Sequence, residues 1–366
     1  MKSLQVRGAP NFYQCEEGIL QQLPVKLSEQ KLENPAIIHG EKSWEAAKDY
    51  ISLDNAVVHV PYKGDCTHEE VARVADKLRN NEADAVIGVG GGKVLDLAKA
   101  AGDELDLPVI LIPTLASNCS PWTPLSVFYD GAGNFLHYIV FSKTAHMVLI
   151  EPRIIADSPV EYLRAGIGDT IAKWYEAVAL TDEIKQKPLS LDIALHAARL
   201  CRDVLLDKGT EAIESVRNHQ VTPALVKVAE TIMMAGGMVG GYGDEYGRIA
   251  GAHAIHNGLT TIPETHKFLH GDKVAYGILV QLALENKYDE VTKLLPYYKE
   301  LNLPTTLAEL GIQEHVKEAI DALSEKATIP EESIHLMSVS TTKDDVIHSI
   351  QRLEEYVVNH ITPGSP

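Results

Sequence analysis

The chain has 366 residues, with 33 Lys and Arg against 51 Asp and Glu and a formal net charge of −18. That length suits two lobes around a cleft, and the acidity repels polyphosphate backbones and speaks against a nucleic-acid partner. No apolar run is read as a membrane span, the first residues are too polar for a signal peptide, and four cysteines without a CxxC pair read as free thiols, so a cytoplasmic protein is expected.

Pro35–His39 is a short apolar run, and a helical pattern follows over 41–51. A second apolar run at 56–60 precedes an amphipathic stretch at 68–81. Residues 84–93, DAVIGVGGGK, read as a strand that runs into glycines and then into a helix over 94–105, with a further buried strand at 108–113. This alternation predicts a parallel sheet covered by helices. Leu125–Tyr129 and 135–141, separated by DGAGN, predict a β-hairpin. Beyond about residue 155 helical periods dominate, at 166–181, 188–208, 222–238, 274–286 and 343–359. The expectation is an α/β domain over 1–155 and an all-α domain over 156–366, with a frayed tail at 362–366.

Between strand and helix, Gly88-Val89-Gly90-Gly91-Gly92-Lys93 lets the backbone approach an anion, and the helix start adds unpaired N–H groups and partial positive charge. It is neither of two familiar motifs. The third glycine of a GxGxxG fingerprint would fall on Lys93, and a Walker A loop would need Ser or Thr where Val94 stands. A tight turn without a phosphate is the plainer alternative, and the motif alone names no ligand.

In the second half, His253 and His256 are one helical turn apart, as are His266 and His270, and Asp169 lies upstream. Open catalytic metal sites use about three His or carboxylate ligands. Core histidines satisfied by hydrogen bonds give the same spacing, so spacing leaves both readings open.

The segment GGGKVLDLAK at 90–99 resembles the GGGxxxDxAK signature of the glycerol-dehydrogenase branch of the metal-containing, iron-type alcohol dehydrogenases. PTLAS at 113–117 is similar to that family's second nucleotide segment. GIGDTIAKWYEA at 166–177, AHAIHNG at 252–258 and HG at 270–271 are similar to its metal framework, so the resemblance covers nearly the whole chain. It implies a dehydroquinate-synthase-like fold, with nucleotide bound by the first domain and metal and substrate by the second. It implies NAD or NADP, a divalent zinc or iron ion, and a homo-oligomer. Gly40 and then Gly90, Gly91, Gly92, Lys93, Val94, Leu95 and Asp96 would bind the cofactor, with Thr114, Leu115, Ala116 and Ser117. Thr123, Leu125 and Tyr129 would face the nicotinamide. Asp169, His253 and His270 would hold the metal, and His256 would sit beside the reacting carbon and carry the proton. His266 matches no ligand position.

Three features depart from glycerol dehydrogenases. Cys119 stands where they have an aspartate for the polyol, and Trp122 is bulkier than their residue, so both are read as substrate-pocket positions. Lys173 lies four residues after Asp169, where other iron-type members can have a histidine ligand. It is either paired with Asp169 or Glu176 or reaching solvent, or it is a catalytic cation for an anionic substrate. After the first strand, His39-Gly40-Glu41-Lys42-Ser43 lacks the aspartate that accepts ribose hydroxyls, which admits NADP. The resulting reading is hydride transfer between a 2-hydroxy acid and a 2-oxo acid. Glycerol or another polyol is the alternative substrate, and a metal-dependent lyase the more distant one.

Overall fold

The computed structural model describes residues 4–53, 57–131, 133 and 135–361. The expected tail at 362–366, part of the hairpin turn and the first residue of the run at 56–60 lie outside the described residues. Six strands form one parallel sheet: β1 (Phe12–Cys15), β2 (Pro35–His39), β3 (Val58–Pro61), β4 (Ala85–Gly90), β5 (Val109–Pro113) and β8 (Met147–Ile150). Their order is β1-β8-β5-β4-β2-β3. The central strands β2, β4, β5 and β8 are buried at every residue, which is why their sequences are continuous apolar runs without alternation. β6 (Leu125–Tyr129) and β7 (Phe135–Val140) form the expected antiparallel hairpin.

β3 lies on one side of β2, and β4 lies on the other. Chain direction across the sheet therefore reverses between β2 and β4, the place where open parallel sheets bind ligands outside their carboxyl ends. Register puts His39 beside Val89 and Gly90 beside Pro113. The segments that follow β2, β4 and β5 thus begin side by side, bringing Gly40, Gly90 to Gly92 and Thr114 to one edge.

Among the described residues all strands end by Ile150, and helices joined by loops follow. Helix Val160–Thr181 packs against Leu189–Arg217 and His270–Leu284, and the latter packs on Gly251–Leu259. The run Pro223–Gly247 corrects one expectation: by length and composition it could cross a bilayer. In the fold 61% of its most apolar window is buried, and its helices pack against Leu189–Arg217.

Candidate active site at the helix junction

Three close backbone approaches bring the site together. A Cβ on Gly166 would lie 2.1 Å from the carbonyl oxygen of Ala116, so this glycine seats helix Val160–Thr181 directly on the loop after β5. A Cβ on Gly271 would lie 1.8 Å from the Ala165 carbonyl, and one on Gly277 would lie 2.3 Å from that of Ala252. Small residues at these points let three helices meet at backbone distance, and those helices carry Asp169, His270 and His253.

The three side chains converge. One potential ligand atom from each of Asp169, His253 and His270 lies within 4.8 Å of the other two. Asp169 Oδ1 is 3.3 Å from His253 Nε2 and 3.1 Å from His270 Nε2. Asp169 is buried; burial opposes its charge, but hydrogen bonds from both histidines hold its carboxyl well below the usual range. Behind His253, Glu176 Oε2 accepts from Nδ1 at 2.8 Å, while Glu176 Oε1 accepts from the backbone N–H groups of Ala250 and His253. Burial alone would lower the His253 pKa, yet Glu176 and Asp169 raise it to about 9. With Nδ1–H given to Glu176, His253 meets Asp169 either as an imidazolium or across a cation. A carboxylate oxygen and two imidazole nitrogens on rigid helices, one ring oriented by a second carboxylate, are a donor set that fits a divalent metal.

His256 stands beside the triad with both ring nitrogens engaged. Nε2 is 2.9 Å from His270 Nδ1, and Nδ1 is 3.0 Å from Asn257 Oδ1. His266 is exposed, with Nε2 at 2.9 Å from the Thr260 carbonyl.

Lys173 is buried, and its Nζ donates to the Arg248 carbonyl at 3.1 Å. Burial disfavours its charge, but Cys119, Asp169 and Glu176 outweigh that and raise its pKa. No ion pair joins Lys173 to a carboxylate within 4.0 Å among the described residues. It neither pairs directly with Asp169 or Glu176 nor reaches solvent. Cys119 lies near Gly236 and Thr170, the residue after Asp169. The Trp122 indole is buried: Nε1 donates to the Gly8 carbonyl at 2.7 Å, and the ring meets Tyr13 edge-on at 5.2 Å.

At the sheet edge, helix Gly92–Glu104 begins at Gly91, whose carbonyl accepts from Val94 and Leu95 at 3.0 and 3.1 Å. Helix geometry leaves the N–H groups of Gly92 and Lys93 without an intrahelical acceptor. Leu115 closes in on Gly91 and Asn118 on Gly92, each near enough to crowd an added Cβ. The Lys93 ammonium pairs with Asp65 and sits 4.5 Å over the Tyr129 ring. The Asp96 carboxylate turns inward, accepting from Ser120 Oγ at 2.6 Å and from the Val127 N–H at 3.0 Å.

Lys99 is the residue that motif reading passed over. Its buried ammonium pairs with Asp96 at 2.9 Å and donates to the carbonyls of Ser120, Thr123 and Leu125. The loop carrying Thr123 and Leu125 is therefore tied to the nucleotide-turn helix by one cation. The available signal was the final lysine of GGGKVLDLAK, quoted in the signature but given no task.

Comparison with known proteins agrees with this architecture. The description "Iron-containing alcohol dehydrogenase" matches residues 10–152. The chain is 41% identical over 357 residues to hydroxycarboxylate dehydrogenase A of Escherichia coli, covering 96% of this chain and 98% of that one. It is 39% identical over 303 residues to glycerol dehydrogenase of Thermotoga maritima, covering 81% of each. The crystal structure of a probable glycerol dehydrogenase from Sinorhizobium meliloti superposes with a TM-score of 0.87 at 28% identity, over 97% of this chain and all of that one. The chain belongs to the iron-containing alcohol dehydrogenase family. It is an oxidoreductase acting on CH–OH groups, with the α/β and helical domains of that fold.

Proposed function

We propose that the protein interconverts a 2-hydroxy acid and a 2-oxo acid, using NADP(H) or NAD(H) and a divalent zinc or iron ion held by Asp169, His253 and His270. When bound, the cation polarises the substrate oxygen and lowers the alcohol pKa, while the nicotinamide exchanges a hydride with the carbon. The turn at Gly90 to Gly92 receives the pyrophosphate against the helix start. Lys99 and Asp96 act one layer behind, fixing the loop that carries Thr123 and Leu125. Because both His256 nitrogens are engaged, we assign that ring to orientation instead of proton transfer.

The observation that carries the substrate reading is Lys173: a buried ammonium one turn from Asp169, bonded to a carbonyl and not to a carboxylate. An anionic substrate supplies the directly contacting carboxylate that the lysine lacks among the described residues, and Cys119 keeps an opposing carboxylate out of its way. The name of the Escherichia coli relative, a hydroxycarboxylate dehydrogenase, points the same way. A charge-assisted hydrogen bond contributes about 1.5–3 kcal/mol, so Lys173→Met should cut kcat/KM for 2-oxo acids roughly ten- to a hundredfold. Neutral ketones should lose much less. Equal losses on both would make Lys173 a structural residue. Glycerol turnover with none of 2-oxo acids would overturn the substrate class and favour the polyol reading suggested by the glycerol dehydrogenases.

We place the nucleotide domain at 1–155 and the metal and substrate domain at 156–366. The four cysteines are free, in keeping with a cytoplasmic setting. Phe135, Leu136, Tyr138 and Ile139 form an exposed apolar strip on β7, the surface that supports a homo-oligomer; sedimentation velocity on the whole chain would test it.

A further inference from the structure

A lysine in the first turn of a helix stands against the partial positive charge of the free N–H groups, so an anion beside it is favourable. Lys93 is the second residue of helix Gly92–Glu104, and its ammonium has such a partner in the Asp65 carboxylate. Asp65 lies in the loop between β3 and helix His68–Asn80, outside every segment that resembles a family signature.

This loop is tied down from several sides. The Tyr62 N–H donates to the His39 carbonyl at 2.8 Å, and the Tyr129 N–H donates to the Cys66 carbonyl at 3.0 Å, which fastens the loop to β2 and to the hairpin. The Thr67 N–H donates to the Asp65 carbonyl at 3.0 Å, and the Lys63 N–H donates to Glu70 Oε1 at 3.0 Å. Thr67 Oγ1 then caps the following helix through the Glu70 N–H at 3.1 Å. The Asp65 side chain is 25% exposed, against 49% for Lys93. The carboxylate is therefore held in place by its backbone, and the ammonium, on a flexible four-carbon stem, is the end that can swing.

The charges around the glycine turn show what that pairing does. Asp96 faces inward and is paired with Lys99. Lys93 is the cation that flanks the turn, and in the free protein Asp65 cancels it. The turn then has only its free N–H groups and the helix dipole to offer a doubly charged pyrophosphate.

We propose that Asp65 is an internal competitor of the nucleotide: it holds the Lys93 ammonium in the free protein and gives it up to the pyrophosphate on binding, and so limits cofactor affinity. The inference rests on reading Gly90 to Gly92 as the pyrophosphate turn. It assigns to the loop after β3 a part in cofactor binding that does not depend on contact with the cofactor itself.

The test is calorimetric titration of the full chain with NADH, NADPH and ADP, for wild type, Asp65→Asn, Lys93→Met, the double variant and Gly91→Val. Asp65→Asn should lower Kd for all three ligands by about threefold or more, on the order of one partly exposed ion pair. In the Lys93→Met background the same substitution should have almost no effect, because the cation being competed for is gone. Weaker or unchanged binding by Asp65→Asn would overturn the inference, as a loop that merely needs this carboxylate for its shape would lose affinity. An equal gain with and without Lys93 would also overturn it, by reducing Asp65 to a distant repulsive charge. A gain for the dinucleotides that ADP does not share would place the contact away from the phosphates, with the same result. Should Asp65→Asn not fold, Asp65→Ser is read in the same way. Gly91→Val tests the turn itself, since a side chain there meets Leu115. Unchanged affinity in Gly91→Val would move the pyrophosphate off the turn and end that reading together with the competition, whereas a loss there without the Asp65 effect removes the competition alone.

Discussion

Gly40 follows β2 with φ −85°, a conformation open to any residue. A Cβ there would meet Ser43 Oγ at 3.3 Å and nothing else closer than 3.9 Å, so a small side chain fits after a slight adjustment. Ser43 cannot do much for a 2′-phosphate, since its hydroxyl accepts from the Gly40 N–H and donates toward the Val89 or Gly40 carbonyl. Lys42 is exposed and remains available. Acids near the end of a nucleotide-domain strand accept ribose hydroxyls and repel a 2′-phosphate. Gly40→Asp should therefore shift preference toward NADH, lowering the NADPH/NADH ratio of kcat/KM by about tenfold or more, on the order of one charged hydrogen bond. Steady-state kinetics with both cofactors measure it, and an unmoved ratio would show that the adenosine ribose lies elsewhere.

At the scale of helices, Gly271 is the most demanding contact around the site. Gly271→Ala forces its Cβ against the backbone at Ala165, and neither partner is a flexible side chain. Overpacking of this kind costs about 1–3 kcal/mol, and the displaced helix begins with His270. Calorimetry should show a Tm lower by several degrees, with zinc affinity reduced as well. Gly131→Ala, where nothing lies within 4 Å, should leave both unchanged. Equal Tm for the two variants would mean that the helices separate freely.

The same scale shows what the sequence could reveal. Runs such as PAIIH and VILIP are legible as strands because burial on both faces removes polar residues. The four-residue strands β1 and β8 are too short to produce a pattern, and only pairing across the sheet defines them. The expected helix at 41–51 stops at Ala47, whereas that at 188–208 continues to Arg217, with Ala212, Ile213 and Val216 buried in its added turns. The triad could be located from motif order. The inward turn of Asp96 and the work of Lys99 could not, because, their mutual ion pair apart, their partners lie more than 20 residues away along the chain.

Across the whole molecule, the triad joins segments about a hundred residues apart: the Asp169 to His270 contact alone spans 101 positions. Helices Val160–Thr181, Gly251–Leu259 and His270–Leu284 each contribute one group, and the first also rests on the loop after β5 through Gly166. An ion bound to all three groups in the folded chain has no comparable site once those segments separate. Its binding free energy therefore adds to stability, by about 2.7 kcal/mol at a free concentration a hundred times Kd. Removing metal with a chelator should lower Tm without changing the far-UV spectrum, because the glycine contacts and the apolar core remain. Returning zinc or iron should restore Tm in proportion to the logarithm of free metal. Asp169→Ala removes the oxygen that both histidines approach, so its Tm should no longer respond to either treatment. Lys173→Met should still respond, because the lysine bonds to the Arg248 carbonyl and is not part of the triad. If Asp169→Ala kept the full shift in Tm, the stabilising ion would have to bind somewhere other than this helix junction.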